Sequence, residues 1–198
     1  MKLYKLTEAN AQTYNKTQWG EGITHEGTGE GDLCGPGWIH AYTDPLLAVL
    51  LNPIHGDFVN PLLWEAEGEV GKEDHGLKVG CKVLTTIKPI PLPVITTEQK
   101  VKFAIYCALE VYRDPIFATW ANGWVENKDR SVAAARNAET AGSWAARAAA
   151  RDAARAARAA AEAAVWAARS WAAAAAEAAA WAEVINLPQI ASEAMKRG

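Results

Sequence analysis

The sequence predicts an α+β protein in which a small mixed β-sheet domain, residues 1–96, is followed by an alanine-rich α-helical domain, residues 97–198. Two observations lead to this fold class. Most of the 15 glycines lie in the first domain, where short apolar runs alternate with turn residues, as in strands and hairpins. In the second domain, 29 of the 50 residues from 131 to 180 are alanine, which has the highest intrinsic helix propensity.

Strand signals run through most of the first domain. Residues Lys2–Leu6 alternate as a short strand, and Trp38–Tyr42 are predicted to form a buried strand. Between them, residues 20–37 contain seven glycines, which permit positive φ angles and close backbone approach, so this segment is predicted to be loop and hairpin. Residues 61–70 predict another strand, and residues 77–95 predict one or two more.

Helix starts are marked by a capping side chain that precedes a proline or an acidic first turn. Such signals occur at Thr43 or Asp44 with Pro45, at Thr97, at Asp114-Pro115, and at Asp129 or Ser131. We therefore expect one helix in the first domain and at least three in the second, with the helix after Asp114 ending near Val125.

No glycine or proline occurs from Ser143 to Asn186. As one helix it carries an arginine stripe, which is either a solvated face or a binding surface for an acidic partner or nucleic acid. Its other faces are alanine and tryptophan. A helix this apolar needs neighbours on more than one side, so we predict a homo-oligomer. The predicted interface residues are Trp166, Trp171 and Trp181. A break near Ser170, which would fold the segment back within one chain, is the alternative.

Composition excludes several protein classes. A formal charge of −3 and a pI near 5.8 argue against a nucleic-acid-coating protein. The sequence has no apolar run long enough for a membrane span and no apolar signal segment at its start. Three cysteines without a paired spacing indicate reduced thiols, so we expect a cytoplasmic protein. Neither a metal nor a cofactor is predicted, because no histidines or cysteines are spaced as ligands.

A ligand pocket is predicted beside the glycine-rich loop. Its candidate binding residues are His25, Trp38, His40 and Tyr42, which with the loop offer imidazoles, aromatic faces and backbone donors. The same side chains could instead be ordinary polar groups beside a buried strand. No catalytic residue is assigned from the sequence.

Three resemblances to known families bear on function. The pair Tyr4-Lys5, the glycine-rich stretch, the motif Cys34-Gly-Pro-Gly-Trp-Ile-His and the strand at residues 62–70 follow one another in this order. This order resembles an N-terminal domain of unknown function, found in small phage and bacterial proteins. This resemblance covers residues 1–95 and implies no particular activity.

The segment Gly37-Trp-Ile-His-Ala-Tyr-Thr-Asp-Pro is also distantly similar to ADP-ribosyltransferase-like proteins. That resemblance implies that His40 contacts NAD, that Tyr42 lies nearby, and that a strand carboxylate aids transfer. The candidate carboxylates are Glu65, Glu67 and Glu69.

Residues 98–185 resemble alanine-rich helical immunity proteins. The likeness rests on Phe103-Ala-Ile-Tyr-Cys-Ala, on Trp120-Ala-Asn-Gly-Trp, and on the alanine repeats after Val132. It implies a partner-binding role without catalysis.

The leading functional hypothesis is a non-enzymatic phage or bacterial interaction or sequestration protein of the counter-defence or immunity type. It would bind a protein or a small nucleotide-like ligand and self-associate through its alanine-rich helices. An ADP-ribosyltransferase-like enzyme acting on an NAD-derived ligand and a structural assembly module are the alternatives.

Overall fold

The computed structural model describes residues 1–112, 114–141, 175–181 and 185–196, and it confirms the α+β class, with strands preceding most of the helices. The chain divides into two compact units, Met1–Val94 and Ile95–Gly198. Within the described residues, no helix has the length and apolar character needed to cross a bilayer.

The sheet of the first unit is built on one long hairpin, β6 (Leu62–Asp74) and β7 (Lys78–Ile90). Strand β1 (Lys2–Thr7) pairs with β6, while β4 (Thr24–Glu26) and β5 (Ile39–Ala41) both pair with β7. All pairings between the described strands are antiparallel, so the expected mixed sheet is corrected to an antiparallel one. Short turns suffice for antiparallel neighbours, whereas parallel pairing would need longer crossovers.

A backbone bridge joins two outer strands of this sheet. The amides and carbonyls of Tyr4 on β1 and Tyr42 just after β5 exchange two hydrogen bonds of 2.8 Å. Because β5 pairs with β7 and β1 with β6, this bridge connects the sheet back onto itself and leaves less open edge. It also brings β1 beside the segment that carries the predicted pocket residues.

Two smaller elements complete the surroundings of the pocket. Strands β2 (Gln12–Thr13) and β3 (Thr17–Gln18) form a miniature hairpin around a 3-10 turn at Tyr14–Lys16. Helix α1 (Pro45–His55) begins as predicted: the Asp44 carboxylate accepts a hydrogen bond of 2.7 Å from the Leu46 amide.

The second unit is helical in its described parts. Its elements are α2 (Thr97–Val111), α3 (Pro115–Val125), α4 (Val132–Ala141), helical residues 175–181, and α5 (Leu187–Met195). Helix α2 starts with a capping box between Thr96 and Gln99, and α2, α3 and α4 share a buried core around Phe117 and Trp124. Whether residues 143–186 form one helix or a hairpin falls mostly outside the described residues.

The Asp114 cap supports a modest prediction about stability. One carboxylate oxygen accepts hydrogen bonds of 2.9 Å from the amides of both Ile116 and Phe117. Replacing Asp114 with alanine should lower the free energy of unfolding by about 1 kcal/mol, measured by urea denaturation with circular dichroism. Asp114→Asn, which keeps an N-cap acceptor, should lose much less. An equal loss in both variants would contradict capping as the cause.

Candidate ligand-binding pocket

The first unit contains a cavity of about 780 Å³. It is enclosed by β1, the β2–β3 hairpin, the glycine-rich loop, β5 and the end of α1. All four candidate residues from the sequence, His25, Trp38, His40 and Tyr42, line it. The structure therefore brings the predicted set together and adds groups from distant parts of the chain.

The most unusual added group is Lys5, whose side chain comes from β1 and is buried, with 8% of the residue exposed. Its Nζ donates a hydrogen bond of 2.7 Å to the His40 carbonyl oxygen and lies 4.9 Å from the centre of the Trp19 ring. Among the described residues, no carboxylate lies within ion-pair distance of this ammonium group. Desolvation by burial lowers the pKa of Lys5 to about 8.

A second buried lysine, Lys78 on β7, also lines the cavity. In contrast to Lys5, its Nζ lies 3.8 Å from Asp74 Oδ2 and donates to Cys34 Sγ at 3.4 Å. The two lysines therefore differ in how far the protein itself compensates their charge.

His40 is fixed by a short hydrogen bond. Its Nε2 lies 2.5 Å from the Leu33 carbonyl oxygen, so Nε2 must be the donor, and Nδ1 is left as an acceptor when the ring is neutral. Burial lowers the pKa of His40; the bond to Leu33 opposes this effect, while the nearby ammonium groups of Lys78 and Lys5 add to it. We expect the neutral imidazole near pH 7.

The buried Tyr42 and the half-buried His55 form a pair at the end of α1. The Tyr42 hydroxyl lies 3.1 Å from His55 Nδ1, and the two rings stack with centroids 5.9 Å apart. Burial, with Lys78 and His40 adding to it, lowers the pKa of His55 to about 3, and burial raises the pKa of Tyr42. If the hydroxyl donates to Nδ1, the ring proton sits on His55 Nε2, which is buried and has no hydrogen-bond partner within the described residues.

Besides these charged and polar groups, aromatic rings line the cavity. Trp38 donates from Nε1 to the Gly31 carbonyl at 3.1 Å, and Tyr14, 85% exposed, stands at the rim on the β2–β3 hairpin. His25 contacts the Trp19 ring edge-on at 4.5 Å between centroids, and its Nε2 lies 2.8 Å from the Gln18 carbonyl. Contacts with Gln18 and Trp19, at the end of this hairpin, therefore hold the His25 ring in the cavity wall.

The charge of the lining favours an anion. Two lysines line the cavity, and Glu26 contributes the carboxylate. In the described part of the chain, no three His, Cys, Asp or Glu side chains are grouped in a way that could hold a metal ion. An anionic group in this cavity would meet ammonium and N–H donors that the protein leaves partly unpaired.

The glutamates implied by the transferase resemblance lie elsewhere. Glu65, Glu67 and Glu69 are on β6, and none of them lines the cavity with His40. Glu65 instead pairs with Lys2 at 3.3 Å. The structure thus does not bring a candidate acid next to His40 and Tyr42.

Of the three tryptophans predicted to form an interface, Trp181 belongs to the described residues and is 61% exposed. Trp166 and Trp171 lie outside the described residues. The homo-oligomer therefore stays a prediction.

Comparison with known proteins identifies no relative of this chain, so the function has to be inferred from the geometry of the cavity. Neither the family models nor the curated proteins nor the solved structures gave a match to this chain. The family resemblances of the sequence accordingly stay predictions.

Proposed function

We propose that this protein is a non-enzymatic binding protein that sequesters a small anionic, nucleotide-like ligand in the cavity of its first unit. The observation that carries the proposal is Lys5, a buried ammonium group in the cavity wall without a carboxylate partner among the described residues. A buried charge that lacks a counter-ion costs free energy. A bound anion would offset that cost.

Lys5 accounts for the phosphate of a nucleotide, and the aromatic lining of the cavity suits its base. Trp38 and the exposed Tyr14 provide flat apolar surfaces on which a base can stack. Lys78 and the Nε2 of His55 supply further cationic or N–H groups in the wall. A ligand that joins a planar ring to a phosphate would use both kinds of surface.

The arrangement of carboxylates supports binding over catalysis. An ADP-ribosyl transfer of the kind implied by resemblance needs an acid beside His40, and the three candidate glutamates on β6 do not line the cavity. The groups that do line it, mostly donors and aromatic rings, suit retention of a ligand.

Lys5→Met should weaken the binding of an anionic nucleotide by about tenfold, because one charge-assisted hydrogen bond is lost. Calorimetric titration with AMP, ADP and a cyclic dinucleotide, with adenosine as the uncharged match, measures this effect. At a concentration about 100 times its dissociation constant, a bound nucleotide should also stabilise the fold by about 2.7 kcal/mol.

Lys2→Met is the matched control, because Lys2 lies on the same strand but is exposed and paired with Glu65. It should bind the nucleotide as the wild type does. Adenosine should bind Lys5→Met and wild type equally. Failure of every anionic probe to bind, or equal loss in the Lys2 and Lys5 variants, would overturn the proposal.

A further inference from the structure

We propose that Lys5 is also a covalent site, where its amine forms a reversible imine with the aldehyde group of a ligand in the cavity. This inference rests on the proposed function for the anionic character of the ligand, and on Lys5 itself for the chemistry. In the reaction, the Nζ lone pair attacks the carbonyl carbon while the C=O π electrons move to oxygen, and transfer of one proton from nitrogen to oxygen gives the carbinolamine. The oxygen takes up a second proton and leaves as water while the nitrogen lone pair forms the C=N bond, and loss of the remaining Nζ proton to solvent gives the imine. No oxidant or reductant is consumed.

The Lys5 amine is held in place before any ligand arrives. Its strand is fixed on one side by pairing with β6, where Lys5 lies opposite Trp64, and on the other by the bridge between Tyr4 and Tyr42. The hydrogen bond from Nζ to the His40 carbonyl engages one of its hydrogens. A neutral amine keeps a second hydrogen and a lone pair for a ligand.

The surroundings of Lys5 favour the neutral, nucleophilic form of the amine. Burial against Trp19 removes water from the ammonium group, and no carboxylate among the described residues compensates its charge. Desolvation favours the neutral amine, and the neutral amine is the form of lysine that reacts with carbonyl groups. With the pKa of Lys5 near 8 instead of 10.5, the free amine at about pH 8 is roughly a hundred times more abundant than for an ordinary lysine.

Lys78, the second lysine in the cavity wall, allows the reactivity of Lys5 to be compared within one protein. Deprotonating Lys78 gives up its ion pair with Asp74, whereas Lys5 has no such pair to lose among the described residues. Although both lysines line the cavity, the reaction should therefore be selective for Lys5.

The proton for loss of water comes from solvent, and two polar side chains of the wall hold the surroundings of the reacting carbon in place. His40 presents Nε2–H to Leu33, and the Tyr42 hydroxyl is paired with His55. Both are neutral positioning groups in this proposal, and the covalent bond is made by Lys5 alone.

The test uses pyridoxal 5′-phosphate as an anionic aromatic aldehyde and pyridoxal as its match without the phosphate. The full-length protein is incubated with each probe, reduced with borohydride, digested and mapped by mass spectrometry. Label should appear at Lys5 on the order of ten to a hundred times faster than at Lys78, with a rate that rises through about pH 8.

Lys5→Arg and Lys5→Met, checked for folding by circular dichroism, should both lose the label at this position while Lys2→Met keeps it. Labelling spread evenly over exposed lysines, or a faster reaction at Lys78, would overturn the inference. If AMP binds but Lys5 is not labelled, the covalent inference fails and the proposed function stands. If pyridoxal labels Lys5 but no nucleotide binds, the proposed function fails and the covalent site stands.

Discussion

Gly37→Ala should destabilise the first unit by roughly 2–3 kcal/mol, because its side chain would collide with backbone. A Cβ at this position would lie 2.1 Å from the Glu30 carbonyl oxygen and 2.8 Å from Thr28 Oγ1. The Gly29 amide also donates to the Gly37 carbonyl at 2.9 Å, so the loop cannot open here without losing that bond. Hydrogen exchange of the β7 amides, which belong to the first unit, measures the loss.

Two other glycines serve as controls for this substitution. At Gly20, an added Cβ would meet the end of the Ile23 side chain at 3.2 Å, so alanine there should cost much less than at Gly37. At Gly123, inside α3, no atom of the described residues lies within 4 Å of an added Cβ, and alanine should stabilise the second unit by about 0.5–1 kcal/mol. If Gly37→Ala were as mild as Gly20→Ala, the close packing of the loop would be refuted. Since Trp38 follows directly, the destabilised variant should also bind nucleotide less well.

The sequence predicted best the features that a few adjacent residues decide. Asp44 with Pro45 and Asp114 with Pro115 both start helices as expected, because capping and the fixed φ of proline act within one turn. The strand at the N-terminus was also predicted, since its alternation is local. Four pocket residues were found because they cluster along one stretch of chain.

The groups that give the cavity its charge could not be found in this way. Lys5 reaches His40 through a pairing between residues 35 positions apart, and Lys78 reaches Cys34 across 44. One signal was available: Lys5 shares the inward face of β1 with Leu3, and a lysine at such a position is unusual. Nothing local indicated which segment would close over it, because that depends on the bridge between Tyr4 and Tyr42.

Strand order explains why the glutamates implied by the transferase resemblance do not line the cavity. The glutamates lie on β6 and His40 lies on β5, and β7 pairs with both strands and separates them. Sequence order cannot distinguish a neighbouring strand from the next one across the sheet. Whether a β6 glutamate lies near the His40 ring therefore depends on which strands pair, and the sequence does not show this.

Two neutral histidines in the cavity wall make the first unit sensitive to acid. Burial lowers the pKa of His55 from 6.5 to about 3 and lowers that of His40 as well. Below about pH 6.5 the unfolded chain therefore binds protons that the folded chain does not, and stability falls as the pH falls until the folded pKa is reached. Each pH unit in this window costs about 1.4 kcal/mol for one such group.

Between about pH 6.5 and about pH 4.5, His55 should thus contribute a loss of roughly 2–3 kcal/mol in the free energy of unfolding. His55→Asn removes this contribution, because asparagine does not titrate yet keeps an acceptor near the position of Nδ1 for the Tyr42 hydroxyl. Urea denaturation at several pH values, followed through amide NMR signals of β7, should show a shallower pH dependence for His55→Asn than for the wild type. Tyr42→Phe is the control: it loses the same hydrogen bond but keeps the titrating ring, so its slope should stay steep. Parallel curves for wild type and His55→Asn would show that His55 is not the buried neutral base described here, and would remove the N–H donor that it offers to an anionic ligand.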